Sequence, residues 1–306
     1  MKLVGDVGGT KVLLALADAA GALHARRRLA SADFRDFDAL LADYLDGVSG
    51  PVDGGCLAVA GPVADDGRSA RITNLPWTID AAGLEARFGL GRLSLINDFA
   101  GVAHGIAVLS PEQLLPLQAG APDPHGLRLV LGAGTGMGVA ALLGEHVLPS
   151  EGGHVGFAPA DATQARIHAA LLAEHGRVTA ERVISGAGLA AIHRILAGES
   201  LSPEEVGQRA LAGERAARDS VEVFFACYGA FAGDMALAFL ARGGVYLAGG
   251  VTQRLLPLLP GSPFLAAFNA KAEHADLATR MPVRAVVDPE VGLRGAAALA
   301  RRTEAS

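Results

Sequence analysis

Three glycine-rich segments in this sequence carry residues that could bind phosphate. In the first, Gly5-Asp6-Val7-Gly8-Gly9-Thr10, a carboxylate lies among glycines directly after an apolar run. The other two are "GAGTGMG" at 132–138 and "AGG" at 248–250. Glycine lets a backbone approach a ligand closely, and the amides of such turns donate hydrogen bonds to phosphate oxygens. Each segment alone would more often be only a tight turn, but the three together favour a phosphate-binding site.

Two common phosphate-binding patterns do not fit these segments. A P-loop requires Gly-Lys-Ser/Thr at the start of a helix, whereas Thr10-Lys11 leads into the apolar run "VLLALAD". Gly136, Gly138 and Ala141 match the loose dinucleotide pattern, but short strands are predicted after them instead of the required helix. We therefore expect hairpin turns that bind phosphate through backbone amides, with hydroxyl donors from Thr10 and Thr135.

A second set of polar residues could act on a hydroxyl compound. Asn97-Asp98 follow the apolar run "LSLI", at the predicted carboxyl end of a strand, where α/β folds place ligand-binding groups. A carboxylate there could accept a proton from a hydroxyl, although Asn and Asp are also common helix caps. Glu151, His154 and Glu181 could bond further hydroxyls, and a single histidine argues against a metal site. Glu181 could equally be a carboxylate favoured at a helix N-terminus.

The elements that must position these residues occur in a repeating order. Residues 2–5, 11–17 and 22–30 are predicted strands joined by turns, and "LRLVLGAGTGMGVAALLGEHVLP" predicts strand, turn, strand, turn and strand again. Helices are predicted from about 160 to 242, followed by strands at "GGVYLAGGV" and "VRAVVD" and a closing helix "GLRGAAALARR". The repeated hairpin indicates an internal duplication, so we predict an α/β fold of two similar lobes with a cleft between them. The closing helix is expected to pack on the N-terminal lobe.

Composition excludes several classes of protein. The chain has 306 residues, 51% of them hydrophobic, and a net charge of −6. Its longest basic run is Arg26-Arg27-Arg28, so no nucleic-acid partner is expected. The apolar stretch "MALAFLARGGVYLAGGV" is broken by Arg242 and glycine pairs and is not expected to span a membrane. Cys56 and Cys227 are expected to be buried thiols, and a glycine turn from residue 5 is unlike a signal peptide, so a cytoplasmic location is predicted.

Six segments in register connect the sequence to a known family. In order along nearly the whole chain they are "GDVGGTK", "INDFAGVAHGI", "GAGTGMGVA", "LPSEGGHVGFAP", "TAERVISGAGL" and "LAGGVTQR". Together they closely resemble the bacterial glucokinases of the hexokinase-like sugar kinase group, which have the two-lobed ribonuclease H-like fold shared with actin. The resemblance implies small and large α/β lobes over residues 1–108 plus 288–306 and 109–287.

The resemblance also implies an activity and the residues that perform it. The expected reaction is ATP-dependent phosphorylation of the 6-hydroxyl of glucose with Mg²⁺, the entry step of glycolysis, in an inter-lobe cleft that closes on the sugar. Asp98 corresponds to the family's catalytic base, and it lies among the sugar contacts Asn97, Glu151, His154 and Glu181. The nucleotide-binding positions are Gly5, Asp6, Val7, Gly8, Gly9, Thr10, Gly134, Thr135, Gly136, Gly249 and Gly250.

Metal use and assembly complete the expectations. Backbone amides alone do not place a metal, so we expect Asp6 to hold the Mg²⁺ of ATP through water, because Mg²⁺ keeps much of its hydration shell. The alternative is that Asp6 only braces the turn. The related ROK group carries a cysteine zinc site after the sugar-binding histidine, but this chain has no cysteine between 56 and 227, so no structural zinc is expected. Lys11 stands where the most similar glucokinases often have Asn. Family members are commonly homodimers.

Overall fold

The computed structural model describes residues 1–302 and divides them into two compact α/β units. Residues Met1–Ser110 and 290–302 form the first unit, and Pro111–Pro289 form the second. Residues 303–306, which the predicted small lobe included, lie outside the described residues.

The first unit is built on a five-stranded sheet with helices α1–α3. Its elements are β1 (Lys2–Val7), β2 (Lys11–Ala17), β3 (Leu23–Ala30), α1 (Phe37–Asp46), β4 (Gly55–Val59), β5 (Ser69–Arg71), β6 (Thr78–Asp80), α2 (Ala81–Phe88), β7 (Leu93–Asn97) and α3 (Asp98–Ile106). The sheet order is β3-β2-β1-β4-β7, with β1 to β3 antiparallel and β1, β4 and β7 parallel. Val7 is opposite Val12, so the predicted glycine turn closes the β1–β2 hairpin.

The second unit repeats this order around its own sheet. Its elements are β8 (Leu114–Gln118), β9 (Arg128–Ala133), β10 (Met137–Leu143), β11 (His146–Ser150), α4 (Ala162–His175), α5 (Ala180–Val183), α6 (Gly186–Ala197), α7 (Pro203–Leu211), α8 (Arg215–Phe239), β12 (Gly244–Ala248), α9 (Gly250–Arg254), α10 (Phe264–Asn269), α11 (Ala275–Thr279) and β13 (Val283–Val286). The sheet order is β11-β10-β9-β12-β13-β8, again an antiparallel trio followed by two parallel neighbours, β12 and β13, with β8 added antiparallel at the edge. The predicted duplication is therefore confirmed.

Three strands had no sequence prediction. The short β5–β6 hairpin has only three residues in each strand, too few for an alternating pattern to register. β8 contains Pro116, which has no N–H for a sheet ladder and argues against a central strand. β8 lies at the edge of its sheet and pairs only with β13, and that position tolerates the proline.

The longest helix is the core of the second unit. α8 is long and apolar enough to cross a membrane by length and composition alone. However, its side chains pack into the large hydrophobic cluster of this unit, where Phe224, Phe225 and Tyr228 are fully buried. Its apolarity is thus accounted for by core packing. Cys227 on this helix and Cys56 on β4 are buried free thiols, as predicted.

The chain closes with α12 (Val291–Arg302), which returns to the first unit. It packs on α3, β1 and β4, and its Leu293 and Ala296 share a core cluster with Val4 and Cys56. Contact with α3 is backbone to backbone, because a Cβ on Gly295 would lie 1.8 Å from the Gly101 carbonyl oxygen. The predicted packing of the closing helix on the N-terminal lobe is confirmed.

Candidate active site

Asp98 lies at the junction of β7 and α3, where the sequence predicted it. β7 is buried against β4 and ends at Asn97, and Asp98 is the first residue of α3. The Asn97 side chain caps this helix: its Oδ1 accepts the Phe99 amide at 2.9 Å. The Asp98 Oδ1 accepts the same amide at 2.8 Å, and the Asn97 side chain also hydrogen-bonds the Asp98 carboxylate. Both residues therefore accept the capping amide, and the Asp98 carboxylate has further acceptor capacity.

Asp6 and Asp98 influence each other electrostatically. Asp6 is on β1 and Asp98 follows β7, and both strands are parallel neighbours of β4, so the two carboxylates reach the same edge of the sheet. Burial, reinforced by the negative charge of Asp6, raises the pKa of Asp98 to about 6. Burial also raises the pKa of Asp6, partly offset by the positive charge of Lys11. With a pKa of about 6, Asp98 is ionised at neutral pH and is far more basic than an exposed carboxylate.

This pKa shift predicts a pH-dependent stability difference for Asp98→Asn. The folded-state pKa of about 6 lies above the ordinary value of 3.8, so the native state holds this proton more tightly and loses stability as pH rises. Asn cannot ionise, so the variant should be more stable than the parent by about 2–3 kcal/mol above pH 6, and the difference should vanish near pH 4. Chemical denaturation at several pH values measures this. A difference that does not change with pH would contradict the shifted pKa.

The carboxylate of Asp6 is poorly compensated by the groups around it. It is half-buried, and within residues 1–302 no backbone or side-chain group donates a hydrogen bond to its carboxylate. Its Oδ2 faces the first turn of α12, where a Cβ on Gly292 would lie 3.3 Å away. A buried, unpaired carboxylate is costly unless a cation or donor compensates it.

The β1–β2 turn presents unpaired amides beside Asp6. Gly8 N–H bonds the Lys11 carbonyl at 3.0 Å and closes the hairpin, while the Gly9 and Thr10 amides have no acceptor within the described chain. The Thr10 side chain is exposed. These groups can donate to an anion at the turn.

Two residues without a sequence prediction, Thr73 and Asn74, support this turn. A Cβ on Gly9 would lie 2.9 Å from the Thr73 carbonyl oxygen, so this position has no room for a side chain. Asn74 has a left-handed backbone with φ of 66°, a conformation that Asn tolerates better than most residues. The only signal in the sequence is the turn-forming "TNLP" at 73–76.

The two other glycine segments lie together in the second unit. Gly134–Gly136 connect β9 to β10, and the Thr135 and Gly136 amides have no acceptor within the described chain. A Cβ on Gly134 would lie 3.8 Å from the Gly250 amide nitrogen at the start of α9. Gly249 has φ of 94°, and a Cβ there would lie 2.3 Å from the Ala133 carbonyl oxygen, so only glycine fits. β10 follows the turn as a strand, so the dinucleotide pattern is excluded.

Glu151, His154 and Glu181 also meet in the second unit. His154 Nε2 lies 3.8 Å from Glu151 Oε2, and His154 Nδ1 lies 4.0 Å from Glu181 Oε1. The tight turn between Glu151 and His154 needs glycine, since a Cβ on Gly153 would lie 1.9 Å from the Met137 carbonyl oxygen. The Glu181 side chain is 33% exposed, whereas that of Glu151 is 93% exposed. Glu181 is therefore held by the protein, and Glu151 is free to follow a ligand.

The polar cluster is better suited to hydroxyls than to a metal. No group of three or more His, Cys, Asp or Glu side chains among residues 1–302 is arranged to hold a metal ion. Arg177 donates to the His154 carbonyl at 3.2 Å and so supports its backbone, a contact for which the sequence offered no signal. The cluster provides two carboxylate acceptors around one imidazole, a pattern that matches adjacent hydroxyl donors.

Comparison with known proteins gives a consistent result. The family model described as Glucokinase matches residues 3–303. A glucokinase of Nostoc punctiforme is 36% identical over 338 residues and the match covers 98% of both chains. The crystal structure of a glucokinase from an Antarctic psychrotroph, 31% identical, covers 98% of both chains with a TM-score of 0.86. A ROK family glucokinase from Streptomyces griseus, solved with glucose and AMPPNP, is 20% identical over 98% of this chain and 99% of its own, with a TM-score of 0.72.

Proposed function

Because this chain belongs to the glucokinase family and has its two-lobed actin-like ATPase fold, we propose that Asp98 is the general base in its ATP-dependent phosphorylation of glucose. The family match extends over residues 3–303, so the activity is that of the whole chain rather than of a part. The proposal assigns each polar group described above to a step of that reaction, with transfer to the 6-hydroxyl.

The observation that carries the proposal is the environment of Asp98. A sugar hydroxyl is a poor nucleophile and needs a base within hydrogen-bond reach. The Asp98 Oδ1 accepts the Phe99 amide, the carboxylate keeps further acceptor capacity, and burial raises its pKa to about 6. That carboxylate is ionised at neutral pH yet basic enough to accept the 6-hydroxyl proton as the oxygen attacks the γ-phosphorus.

Phosphate binding is assigned to the glycine turns of the two units. The unpaired amides of Gly9, Thr10, Thr135 and Gly136 donate to phosphate oxygens, and the chain from Gly5 to Thr10 and at Gly249-Gly250 supplies the close backbone approach. The support for this assignment is that glycine is sterically required at Gly9 and Gly249. The nucleotide is ATP, in keeping with the AMPPNP in the Streptomyces griseus relative.

Asp6 fits a role beside the Mg²⁺ that accompanies ATP. Mg²⁺ bound with substrate phosphates typically uses one or two protein carboxylates and several waters, and Asp6 is a single half-buried carboxylate without a donor from the described chain. When bound, the ion neutralises charge that develops on the transferring phosphate. The protein fixes the position of the Asp6 oxygens by burying them between β1 and the start of α12.

Sugar binding is assigned to Asn97, Glu151, His154 and Glu181. Carboxylates accept hydrogen bonds from adjacent hydroxyls, and His154 lies between the two Glu side chains to donate or accept. Asn97 caps α3 through its Oδ1, while its Nδ2 donates to the Gly61 carbonyl at 3.4 Å and hydrogen-bonds the Asp98 carboxylate, so a sugar contact by Nδ2 would replace one of these donations. Glucose is the sugar present in the Streptomyces griseus structure.

Glu151→Gln and Glu181→Gln are each expected to raise the KM for glucose about tenfold or more, with a smaller effect on kcat. Amides accept hydroxyl hydrogen bonds more weakly than carboxylates do. Steady-state kinetics with varied glucose at saturating MgATP measures the change. Glu174→Gln is a matched control, because Glu174 is in the same unit but pairs with Arg194. Unchanged glucose dependence in both site variants would remove these residues from the sugar site.

The experiment that tests the proposed function is a panel of sugars with coupled detection of ADP. Glucose should give the highest kcat/KM, and the nearest alternative is a kinase for mannose, fructose or an N-acetylated hexosamine. A sugar-responsive regulator would bind sugar without producing ADP, and the net charge of −6 argues against a DNA partner. An ATP-driven switch of the actin type would hydrolyse ATP without sugar, an alternative opposed by the polar cluster around His154.

The remaining expectations from the family are included in this proposal. They are a role at the entry to glycolysis, a cytoplasmic location, a homodimer and closure of the lobes on sugar. Closure would exclude water that otherwise attacks ATP.

Three measurements test these expectations. Light scattering after size exclusion tests the dimer, cell fractionation tests the location, and small-angle scattering with and without glucose tests closure. A monomeric mass, a membrane-bound pool or an unchanged scattering profile would overturn the corresponding expectation.

A further inference from the structure

Glu181 contacts both the polar cluster and the β9–β10 turn. Its Oε2 accepts the Met137 amide at 3.0 Å, directly after the turn, while its Oε1 faces His154 Nδ1 at 4.0 Å. These two contacts use different oxygens of one planar group. A movement of the carboxylate towards a sugar hydroxyl therefore also moves, or is limited by, the backbone at Met137.

The backbone conformation of Gly136 does not explain why this position is glycine. Its φ lies outside the left-handed region, so the conformation does not require glycine. A Cβ at this position would lie 2.5 Å from Glu181 Oε2 and 3.4 Å from Glu181 Cδ, and apart from its two chain neighbours no other atom of residues 1–302 would lie within 4 Å of it. A side chain at position 136 would therefore displace the Glu181 carboxylate.

We propose that Glu181 is a positioning residue that couples sugar binding to nucleotide binding within the second unit, and that Gly136 is glycine to make room for it. This inference rests on the proposed function, which places sugar at Glu181 and phosphate at the Gly134–Gly136 turn. A sugar hydroxyl bonded to Oε1 fixes the carboxylate plane. The fixed Oε2 then holds the Met137 amide and, with it, the unpaired amides of Thr135 and Gly136 in the orientation that a phosphate needs.

Such coupling must be reciprocal, because each ligand changes the affinity of the other by the same factor. One shared hydrogen-bonded group is a modest link, so we expect glucose to tighten nucleotide binding by about five- to tenfold. If Glu181 only closed the β9–β10 hairpin, its substitution would change folding stability but not the factor by which glucose tightens nucleotide binding. Measurement of this factor therefore distinguishes the two roles.

Calorimetry without turnover tests the proposal, with glucose and MgAMPPNP as the probes. Gly136→Ala should weaken glucose binding about fivefold or more in the absence of nucleotide, although residue 136 lies in the phosphate turn. Gly156→Ala is the matched control for glucose affinity, because Gly156 is in the same unit, is not among the residues assigned to binding, and a Cβ there would meet no described atom within 4 Å beyond its chain neighbours. It should change the glucose Kd less than about twofold. Thermal unfolding checks that each variant folds.

A double-mutant cycle then identifies the residue through which Gly136 acts. In a Glu181→Gln background, which keeps an acceptor for the Met137 amide, Gly136→Ala should cost less than about twofold further in glucose affinity, since coupled sites are not additive. The tightening of MgAMPPNP by saturating glucose should fall below about twofold in both single variants.

Two results would overturn the inference and leave the proposed function intact. One is an unchanged glucose Kd in Gly136→Ala while the parent enzyme binds and phosphorylates glucose. The other is full glucose–nucleotide coupling in Glu181→Gln. Failure of the parent enzyme to bind glucose at all would instead overturn the proposed function, and with it this inference.

Discussion

Asp98→Asn is expected to lower kcat for glucose phosphorylation by about 10²–10⁴-fold, the usual contribution of a positioned general base. Asn keeps the shape of the side chain and can still accept the Phe99 amide, but it cannot take a proton. Asp98→Ala should show a loss of at least the same size. Glucose affinity should stay within a few-fold of the parent, because the remaining sugar contacts are untouched. Stopped-time assays of glucose 6-phosphate, with calorimetry for the glucose Kd, measure both quantities.

Unfolding of the Asp98→Asn variant would not explain its loss of kcat. Asp98→Asn removes a destabilising buried charge, so the variant should be more stable than the parent at neutral pH. Asp80→Asn is a matched control, since Asp80 accepts the Ala82 and Gly83 amides at the start of another helix of the same unit. Its kcat should stay within about twofold of the parent. Near-normal turnover in Asp98→Asn would show that the base is assigned wrongly.

Asp6→Asn is expected to lower Mg²⁺-dependent turnover by about 10²-fold or more and to require higher Mg²⁺ for half-maximal rate. The carboxylate charge is what attracts a hydrated ion, and a neutral amide supplies little of it. The alternative is that Asp6 only braces the β1–β2 turn, in which case the variant should lose stability and keep its metal dependence. Titration of the initial rate with Mg²⁺, beside chemical denaturation, separates the two roles.

The structure favours the metal role over bracing. A bracing carboxylate makes hydrogen bonds, as Asp18 does with the Ala20 and Ala22 amides in the β2–β3 turn. Asp6 receives no such bonds from residues 1–302, and burial raises its pKa, so removing its charge should not destabilise the protein. Asp18→Asn is the matched control and should reduce stability without altering the Mg²⁺ dependence. A destabilised Asp6→Asn with normal Mg²⁺ dependence would reverse this assignment.

The sequence by itself determined most of the fold through local patterns. The alternating and continuous apolar runs predicted both glycine hairpins and the major helices, and the repeated hairpin predicted the duplication that the two sheet orders confirm. These features depend on the side-chain period of strands and helices and on the freedom of glycine, which neighbouring residues suffice to show. The candidate site residues came from the same short segments and from a family resemblance carried by six of them. The edge strand β8 was missed because its Pro116 is tolerable only at a position that the whole sheet defines.

Only the tertiary structure decided how the site residues act on one another. The raised pKa of Asp98 depends on burial and on the charge of Asp6, which is 92 positions away in the sequence but at the same edge of the sheet. From the sequence alone, Glu181 could be either a sugar contact or a carboxylate favoured at a helix N-terminus, and nothing connected it with Gly136. A Cβ on Gly136 would lie 2.5 Å from the Glu181 carboxylate because Glu181, on α5, reaches the β9–β10 turn and accepts the Met137 amide there. Electrostatic and steric effects act through space, so distances that are set by folding, and not the order of residues, determine them.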